Sequence, residues 1–438
     1  MTITNGTWTN WAGDESATPA RILTPATVEE LSTAVAAAAE AGQTVRVVGA
    51  GHSFSDLVAT DGLLLSLDRL AGIAHYDADA GLVTIGAGTR LYDLNPALDA
   101  LGVALPNLGD VDQQSFAGAS STATHGTGRL LGNLATGIES MDLVLADGST
   151  LTCSGDDPDT LAAARVSLGA LGVATSYRLK VVPAFALAAR EFTMPMPELT
   201  ARLDELIDTN DHFEFFHFPH TGAAMVKLNN RTDRPLAPRG ELAARANEFL
   251  ENTVVEGASR LGRRLPRAIP VLNRTLTALA SGSEYVDRSY RVYASKRAVR
   301  FTEMEFAVPR SACLPVLDDL ARAIEREGFA VNFPVEVRFV AGDTDSYLSP
   351  SYDRETCYIA VHMFRGMPWR PYFRAFEDIA SAYDGRPHWG KRHLLDAEAL
   401  AGRYPEWDRF QDVRSRLDPG GVLTNDHIRR VLGPVRPA

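Results

Sequence analysis

Cysteine is scarce in this sequence. Among 438 residues there are three, Cys153, Cys313 and Cys357, at wide spacings. An odd number of cysteines so far apart excludes a disulfide framework and the paired spacing of a zinc ribbon. Because disulfides belong to oxidising compartments, this pattern favours a reducing compartment and predicts a cytoplasmic protein.

Long apolar runs and a surplus of basic residues are also missing. No stretch reaches the roughly 18 uninterrupted apolar residues of a spanning helix. Residues 1–13 lack the basic region and apolar run of a signal peptide. Lys and Arg number 43 against 55 Asp and Glu, a net charge of -12. Nucleic-acid-binding chains normally have the opposite balance, so no nucleic-acid partner is predicted.

The composition that remains is that of a globular protein, with 45% hydrophobic and 22% charged residues. The length predicts two or three domains. Helical periodicity predicts helices at 24–40 and 92–101. Strands are predicted at 45–48, 62–67, 82–85, 138–144, 151–152 and 175–182, with a hairpin turn at Asp147-Gly148. Beyond residue 183, an Arg-rich and mostly helical stretch at 235–297 precedes predicted strands at 300–306, 335–340 and 358–363.

A glycine-rich turn follows the strand predicted at 45–48. There, GAGHSF at 49–54 places Gly49 and Gly51 just before His52. Glycines remove side chains, so that successive backbone N–H groups can approach a phosphate. The Rossmann fingerprint is excluded, because its third glycine position is Phe54 here. A single Gly-x-Gly also fits a plain turn, in which His52 would be an ordinary loop histidine.

A second loop strengthens the ligand interpretation. Residues 115–128 read SFAGASSTATHGTG, and 103–132 as a whole is rich in Gly, Ser and Thr and poor in charge. This composition predicts closely packed loops without a helix, which crowd backbone and hydroxyl donors around one extended ligand. A third loop, SLGALGV at 167–173, adds further close backbone approach. An isoalloxazine joined to a pyrophosphate would be such a ligand.

Together, GAGHSF (49–54) and ATHGTG (123–128) resemble the vanillyl-alcohol-oxidase-type flavoenzymes, and within them the sugar-lactone and alditol oxidase branch. The C-terminal half is similar to L-gulono-1,4-lactone and D-arabinono-1,4-lactone oxidases. The similar segments are VEVRF (335–339), LSP (348–350), RETCY (354–358), GRPHWGK (385–391) and LDP (417–419). The resemblance extends from NWAG at 10–13 to Asn425 and is weakest at 235–297.

The resemblance implies an α+β fold class, with a two-subdomain FAD-binding domain of the vanillyl-alcohol-oxidase type and an α+β cap domain. The expected boundaries are 1–182 for the FAD-binding domain, 183–390 for the substrate (cap) domain and 391–438 for a C-terminal segment that rejoins the FAD domain. In this branch the histidine of the Gly-His-Ser segment is commonly bonded to the flavin 8α-methyl. The resemblance therefore implies FAD attached covalently through His52.

The same resemblance assigns further FAD contacts to the glycine and hydroxyl loops. Besides His52 and Lys391, the implied contacts are Val48, Gly49, Ala50, Gly51, Ser53, Gly109, Asp110, Ser115, Gly118, Ala119, Ser121, Thr122, His125, Gly126 and Val173. Gly109 occupies what resembles the oxygen gate of the family, where alanine blocks oxygen in some plant relatives. Asp110 replaces a serine that is common in relatives.

A carboxylate and a guanidinium share one face of an apolar strand. Glu336 and Arg338 are two residues apart in the strand pattern at 335–340, so both side chains point the same way. Taken alone, the pair could be an internal salt bridge. The resemblance implies that it lies beneath the flavin, where Arg338 stabilises negative charge at N1 and C2=O and Glu336 binds a sugar hydroxyl.

Three further residues are implied as catalytic by family position. Lys391 would polarise the hydroxyl being oxidised or stabilise the reduced flavin, although most lysines are simply exposed. His388 and His362 are expected to be bases or hydroxyl ligands, with a core position as the alternative for His362. Phe364 stands where alditol oxidases have a threonine, which predicts more room for a ring and less hydrogen bonding to a linear polyol.

The predicted reaction is FAD-dependent oxidation of an aldono-1,4-lactone, of the L-gulono or D-arabinono type, at its 2-hydroxyl by hydride transfer to flavin N5. The product would enolise to ascorbate or its five-carbon analogue. Since Gly109 leaves space beside the flavin, O2 is the predicted acceptor and H2O2 the by-product. The alternatives are an alditol (xylitol or sorbitol) oxidase and a lactone dehydrogenase that uses a non-oxygen acceptor.

Two other kinds of partner are not expected. The arginines of 239–300 alternate with glutamates, which favours a solvated helical face over a helix lying on a membrane. The ten histidines show no i, i+4 pair with a nearby carboxylate, so no metal site is predicted. The sequence does not indicate an oligomeric state.

Overall fold

The computed structural model describes residues 2–279, 282–295 and 297–437, apart from the side chains of residues 247 and 251. Its strands are β1 (Thr2–Thr4), β2 (Thr7–Thr9), β3 (Ser16–Ala17), β4 (Arg21–Leu23), β5 (Val45–Val48), β6 (Leu63–Ser66), β7 (Ile73–Asp77), β8 (Leu82–Gly86), β9 (Val103–Ala104), β10 (Ile138–Val144), β11 (Thr150–Cys153), β12 (Val173–Lys180), β13 (Val182–Pro183), β14 (Ala186–Pro195), β15 (His212–His217), β16 (Ala223–Thr232), β17 (Ser283–Arg288), β18 (Phe301–Pro309), β19 (Val335–Val340), β20 (Thr356–Phe364) and β21 (Arg386–Pro387).

The α-helices lie between and after these strands. They are α1 (Val28–Glu40), α2 (Leu91–Ala100), α3 (Phe116–Ser121), α4 (Pro158–Arg165), α5 (Met196–Ala201), α6 (Leu203–Asp208), α7 (Glu241–Glu248), α8 (Val255–Arg264), α9 (Ile269–Leu279), α10 (Ser289–Tyr293), α11 (Cys313–Glu327), α12 (Arg370–Ala382), α13 (Ala397–Ala401), α14 (Trp407–Leu417) and α15 (Asp426–Leu432). A π-helical turn, Phe249–Val254, joins α7 to α8.

Besides the small sheets β1-β2-β3 and β13-β9, two sheets build the first part of the chain. One is a parallel sheet in the order β4-β6-β5, and its strand β5 ends directly before the glycine turn at 49–51. Helix α1 begins after Thr27, whose hydroxyl accepts a hydrogen bond from the Glu30 N–H. An antiparallel sheet follows in the order β11-β10-β12-β8-β7, with the predicted hairpin turn at Gly148. The strands predicted before residue 183 are confirmed.

One prediction for this region was wrong. The stretch 103–132, expected to lack helix, contains the short helix α3. Ser115 caps it by accepting a hydrogen bond from the Gly118 N–H, and the small residues behind it allow a tight turn against the sheet.

The later part of the chain forms an eight-stranded sheet in the order β17-β14-β16-β15-β19-β20-β18-β21. Its central strands β18, β19 and β20 are buried along nearly their whole length. Apolar residues such as Met304, Val337 and Ile359 join one apolar core with α11 and α12. Several of the alternate residues of the same strands are charged or polar, since side chains alternate between faces. These polar residues build the site described below.

Two large apolar clusters divide the packing. One joins α1, the first two sheets and α4 to residues 389–432, including Trp389 and Phe410. The other lies between the eight-stranded sheet and helices α11 and α12. This packing supports the proposed division at residues 182 and 390 with a returning C-terminal segment, which stays a prediction.

The Arg-rich helices carry paired charges on their exposed faces. Arg245 pairs with Glu241 and Arg260 with Glu256, each one helical turn apart. Leu242 and Phe249 are also exposed in this region. Among the described residues, every helix is too short or too polar to cross a bilayer. The preference for a solvated face over a membrane surface stays a prediction.

A buried arginine ties the glycine turn to two distant loops. Arg46 of β5 donates hydrogen bonds to the carbonyl oxygens of Leu57, Leu168, Gly169 and Leu423, at 2.7–3.2 Å. Burial lowers the pKa of this guanidinium to about 10, so it remains charged near neutral pH. One side chain therefore satisfies carbonyl groups from the loop after His52, the loop before β12 and the C-terminal segment.

Replacing Arg46 with methionine is expected to lower the free energy of unfolding by about 3 kcal/mol or more, because several buried carbonyls lose their donor. Thermal unfolding of the FAD-loaded protein measures this. Arg178→Met is the matched control, since Arg178 pairs with Asp77 at the surface and should change stability by less than about 0.5 kcal/mol. Equal shifts for the two variants would contradict the role of Arg46.

Candidate active site

Two adjoining cavities run from the glycine turn after β5 to the polar face of the eight-stranded sheet. The first is lined by β5, the turn after it, α3 and the loop before β12. The second has a volume of about 640 Å³ and reaches the central strands of the large sheet. Ala50, His52, Ser53, Gln114 and Thr122 line both, so His52 stands where the two cavities meet.

The first cavity fits the diphosphate end of FAD. A Cβ on Gly49 would lie 2.3 Å from the Ser115 hydroxyl oxygen, so these two loops can approach only if residue 49 is glycine. Gly51 has φ of +67°, a conformation that favours glycine. The resulting wall of small residues, backbone and hydroxyl groups offers the donors that a pyrophosphate requires.

The structure places most of the implied FAD contacts on these walls. Those that line the first cavity are Val48, Gly49, Ala50, Gly51, His52, Ser53, Ser115, Gly118, Ser121, Thr122 and Val173. Gly109, Asp110, His125 and Lys391 line the second. Ala119 and Gly126 do not line either cavity. Ala119 packs in the apolar core. Gly126 packs against the neighbouring loop, where an added Cβ would lie 2.2 Å from the Leu108 carbonyl oxygen.

Strand register brings the charged residues of the second cavity together. Glu336 and Arg338 of β19 lie beside β20, and β20 lies beside β18, which carries Glu303 and Glu305. Glu303 pairs directly with His362 of β20. Since these positions are separated by two along each strand, all five side chains occupy the same face of the sheet. All five line the second cavity. The catalytic roles of Glu336, Arg338 and His362 stay predictions.

Three carboxylates surround the Arg338 guanidinium. Its Nε donates to Glu214 Oε2 at 2.8 Å, its Nη2 lies 3.4 Å from Asp110 Oδ2, and Nη2 also forms a close ion pair with Glu336. Burial lowers the pKa of Arg338, but these carboxylates outweigh burial and raise it well above the usual value. Arg338 is thus a fixed, permanent positive charge in the cavity wall.

The two carboxylates on either side of Arg338 differ in acidity. Burial raises the pKa of Glu336, although the positive charge of Arg338 opposes this. The pKa of Glu214 is lowered, because the effect of burial is exceeded by Arg338 and Lys227. Glu336 is therefore the carboxylate of the pair with the greater proton affinity.

Lys391 is held by a carboxylate rather than exposed to solvent. Its Nζ lies 2.5 Å from Glu303 Oε2, and Glu303 Oε1 lies 3.5 Å from His362 Nε2. Burial lowers the pKa of Lys391, but Glu303 and Glu305 outweigh burial and raise it. Despite burial, Lys391 and His362 lower the pKa of Glu303 to about 2. Lys391 and Glu303 therefore form a charged pair in the cavity wall.

His388 and His125 flank Glu305 and differ in their hydrogen bonds. His125 Nδ1 donates to the Gly126 carbonyl, its Nε2 lies 3.2 Å from Glu305, and its ring stacks on Tyr358. His388 Nδ1 accepts a hydrogen bond from the Gly390 N–H at 3.0 Å. Burial lowers the pKa of His388 to about 3, so this ring is neutral and carries its hydrogen on Nε2.

Asp110 receives a structural role that the sequence did not reveal. Its carboxylate forms a close ion pair with Arg297, and its backbone carbonyl accepts a hydrogen bond from the Ser295 N–H. Burial raises the pKa of Asp110, but Arg297 and Arg338 outweigh burial and lower it. Asp110 therefore links the loop of Gly109 to the segment that follows α10, and Arg297 lines the second cavity.

Comparison with known proteins settles the family. The family model described as D-arabinono-1,4-lactone oxidase matches residues 177–431, more than half of the chain. The chain belongs to the D-arabinono-1,4-lactone oxidase family. The model described as an FAD binding domain matches residues 19–154. The family resemblance drawn from the sequence motifs and the prediction of FAD as cofactor are thereby confirmed.

Relatives of this family member cover almost its whole length. It is 46% identical to the L-gulono-1,4-lactone dehydrogenase of Mycobacterium tuberculosis (strain ATCC 25618 / H37Rv), over 98% of this chain and 99% of that protein. It is 32% identical to the L-gulonolactone oxidase of Mus musculus, over 97% of each chain. It is also 32% identical to the alditol oxidase of a Streptomyces species (strain IKD472 / FERM P-14339), over 97% and 98%.

The fold is shared with a solved structure of lower sequence identity. The structure of cholesterol oxidase from B. sterolicum superposes with a TM-score of 0.82 at 19% identity, covering 98% of this chain and 97% of that one. This confirms the predicted α+β fold class. At this identity the likeness concerns the fold alone.

Four charged residues in or beside the second cavity escaped the sequence analysis: Glu214, Arg297, Glu303 and Glu305. Glu303 and Glu305 had a signal, because they alternate on the strand predicted at 300–306 just as Glu336 and Arg338 do on theirs. Glu214 and Arg297 had none, since only the pairing of β15 with β19 and the path of the segment after α10 bring them to Arg338 and Asp110.

Two groups of ligand-type side chains lie in this cavity, namely His125, Glu305 and His388, and Glu303, Glu336 and His362. In each group, donors or acceptors are already engaged by protein atoms: the Gly390 N–H binds His388, and Lys391 binds Glu303. The absence of a metal site stays a prediction.

The Glu303–Lys391 pair yields a prediction of pH dependence. Because Glu303 raises the pKa of Lys391, Glu303→Gln should lower that pKa, and the ammonium should be lost at lower pH. The decrease of kcat/KM at alkaline pH should then begin at a lower pH in the variant than in the wild type, which a pH profile of both proteins measures. Glu214→Gln is the matched control, since Glu214 binds Arg338 instead. An unmoved alkaline limb in Glu303→Gln would rule out this coupling.

Proposed function

We propose that this enzyme oxidises an aldono-1,4-lactone, of the L-gulono or D-arabinono type, at its 2-hydroxyl, with FAD as hydride acceptor and O2 as final acceptor. The observation that carries the proposal is that Glu336, Arg338 and Lys391 line the same cavity as His52. Fixed charges of both signs suit a neutral, hydroxyl-rich substrate, because each hydroxyl can donate to a carboxylate and accept from a cation. The family and the lactone-oxidising relatives support the substrate class.

The residues of the cavity divide the chemistry between them. When bound, FAD would supply the electrophilic N5 needed to accept a hydride. Glu336 accepts the proton of the reacting hydroxyl, since its raised pKa gives it the proton affinity a general base needs. Lys391 polarises the hydroxyl oxygen, and Arg338 stabilises the negative charge that develops on the flavin pyrimidine.

The two histidines serve better as hydroxyl ligands than as bases. His388 accepts a backbone hydrogen bond at Nδ1 and has only an Nε2–H to offer, so it donates. His362 donates from Nδ1 to the Pro334 carbonyl, and its Nε2 faces Glu303 and Glu336. Burial lowers the pKa of His362, but these carboxylates outweigh burial and raise it, which favours the imidazolium.

We infer that His52 holds the flavin covalently. It lines both cavities and lies where they meet. Burial, together with the nearby Lys391 and Arg300, lowers the pKa of His52 to about 4, so the ring is neutral at physiological pH. A neutral imidazole has the free lone pair that bonding to the 8α carbon requires.

Phe364 does not separate lactone from alditol oxidation. Its ring stacks on Phe333, with centroids 6.3 Å apart, and it does not line the second cavity. The expectation that Phe364 makes room for a sugar ring therefore lacks support.

A comparison of kcat/KM for L-gulono-1,4-lactone, D-arabinono-1,4-lactone, xylitol and sorbitol tests the substrate class. Preference for a polyol would refute the lactone proposal and favour the alditol oxidase alternative.

The electron acceptor is tested separately, because one close relative is named a dehydrogenase. The enzyme is reduced anaerobically with lactone and then mixed with either dissolved O2 or an artificial dye. The proposal expects rapid reoxidation by O2 with one H2O2 formed per lactone oxidised. Reoxidation by the dye alone would establish a dehydrogenase.

Gly109 supplies a prediction for this acceptor. Gly109 lines the second cavity, and a Cβ at this position would lie 3.2 Å from the His125 carbonyl oxygen. Gly109→Ala is therefore expected to slow reoxidation by O2 by about tenfold relative to reoxidation by the dye, as expected when access to the reacting atom is lost. Gly155→Ala, where the added Cβ meets no atom within 4 Å, is the control. Equal slowing of both acceptors would contradict an oxygen-specific role.

A further inference from the structure

The N-terminal NWAG segment, residues 10–13, folds into a tight turn beside the cofactor cavity. Asn10 Oδ1 accepts hydrogen bonds from the N–H groups of Gly13, Asp14 and Glu15, at 2.8–3.2 Å. Asn10 is buried, and its Nδ2 donates to Asp14 Oδ1 as well. One side chain thus fixes the shape of this turn.

The turn is hydrogen-bonded to the backbone on both sides of His52. Asn10 Nδ2 donates to the Ser53 carbonyl at 3.1 Å, and the Trp11 N–H donates to the Gly51 carbonyl at 2.7 Å. The residues before and after His52 are therefore both anchored to the same turn, although they lie about forty positions away in sequence.

The Trp11 indole lies flat against the His52 ring. The ring centroids are 5.3 Å apart and the planes meet at 19°. Phe54 and Phe301 meet Trp11 edge-on, and the Arg300 guanidinium lies 4.5 Å from its ring centroid. These contacts hold the indole in one orientation, and the indole in turn sets the plane of the imidazole.

No hydrogen bond to a ring nitrogen of His52 is present among the described residues, unlike His125, His212, His362 and His388, whose rings are each hydrogen-bonded. The orientation of His52 therefore depends on stacking and on its backbone anchors. We propose that Trp11 is a positioning residue for attachment of the flavin, and that Asn10 supports it by fixing the turn. This inference rests on the proposed covalent role of His52.

Covalent attachment of the flavin requires the His52 ring to be held in a defined orientation. One ring nitrogen of His52 forms a bond to the 8α carbon, which loses one C–H, while the ring loses its N–H. The two hydrogens, with two electrons, are taken up by the isoalloxazine, and dioxygen removes them as hydrogen peroxide. The bond forms only when the nitrogen points at the 8α carbon, and small misplacements of reacting atoms cost large factors in rate.

The test follows covalent attachment directly and without turnover. Apoprotein is mixed with FAD in air, and samples are precipitated with acid at intervals to measure flavin in the pellet and in the supernatant. Trp11→Leu is expected to retain FAD binding but to slow attachment by about tenfold or more. Trp11→Phe should restore part of the rate, because it keeps an aromatic ring against His52. Asn10→Ala should also slow attachment.

Trp407→Leu is the control, since Trp407 is buried in the core of the first apolar cluster and does not stack on His52. Attachment at the wild-type rate in Trp11→Leu would overturn the proposal, as would equal slowing in Trp407→Leu. If Trp11→Leu loses all FAD binding, the rates of Trp11→Phe and Asn10→Ala decide. Free flavin in the wild-type supernatant would instead refute covalent attachment itself, whatever the variants do.

Discussion

Replacing Arg338 with methionine is expected to lower kcat/KM for the lactone by about a hundredfold to a thousandfold, the range found when one preorganised hydrogen-bond donor at a transition state is removed. The guanidinium is held by Glu214, Glu336 and Asp110, so its position relative to the cavity is set before substrate binds. Removing it also leaves the buried carboxylates of Glu214 and Glu336, and the half-buried carboxylate of Asp110, without their common partner. Steady-state kinetics with the FAD-loaded variant measure the loss.

Stability and catalysis must be separated in this variant, because buried unpaired charge destabilises the fold. Arg338→Lys keeps a positive charge but loses the planar fork, and it should recover only part of the activity. Arg386→Met is the control: Arg386 is equally buried but donates to carbonyls of residues 350, 352 and 403 outside the cavity. Near-normal kcat/KM in Arg338→Met would exclude the proposed electrostatic role.

Replacing His52 with alanine is expected to move all flavin from the acid pellet to the supernatant, while FAD remains bound in the native protein. Binding should persist because the cradle of Gly49, Ser115 and their neighbours is unchanged. The midpoint potential of the bound flavin should fall, since the electron-withdrawing bond at the 8α carbon is gone. Each fall of about 30 mV is a tenfold change in a two-electron equilibrium, and kcat should fall with it.

A matched histidine shows whether this effect is specific. His217 of β15 is half-buried, and its Nδ1 meets the Ala223 carbonyl outside both cavities. His217→Ala should leave flavin in the pellet and the potential unchanged. Flavin that stays in the pellet of His52→Ala would mean that another side chain carries the bond.

Local patterns predicted much of the cofactor cradle. The position of Gly49 and Gly51 after an apolar strand predicts that backbone approaches a ligand closely there. In the structure, Gly49 lies against Ser115 and Gly51 has a positive φ, so each position favours glycine. Glu336 and Arg338 followed from the two-residue period of a strand. In both cases the property that was predicted depends only on residues close together in the sequence.

The electrostatics of the site could not be predicted in this way. Glu214, Asp110 and Glu336 come from three separated segments, and only strand pairing and loop packing place them around one guanidinium. The same holds for Trp11, which is far from His52 in sequence and lies against its ring in space. A single sequence contains no period that links such positions.

The sequence by itself therefore determined the fold class, the family, the FAD-binding loops and the strand that carries Glu336 and Arg338. These depend on local spacing, which sets where backbone can approach a ligand and which side chains share a face. The tertiary structure alone decided which charges meet, which histidines are neutral, and that an N-terminal turn orients His52. Such properties depend on burial and on distances between remote segments, which are fixed only when the chain has folded.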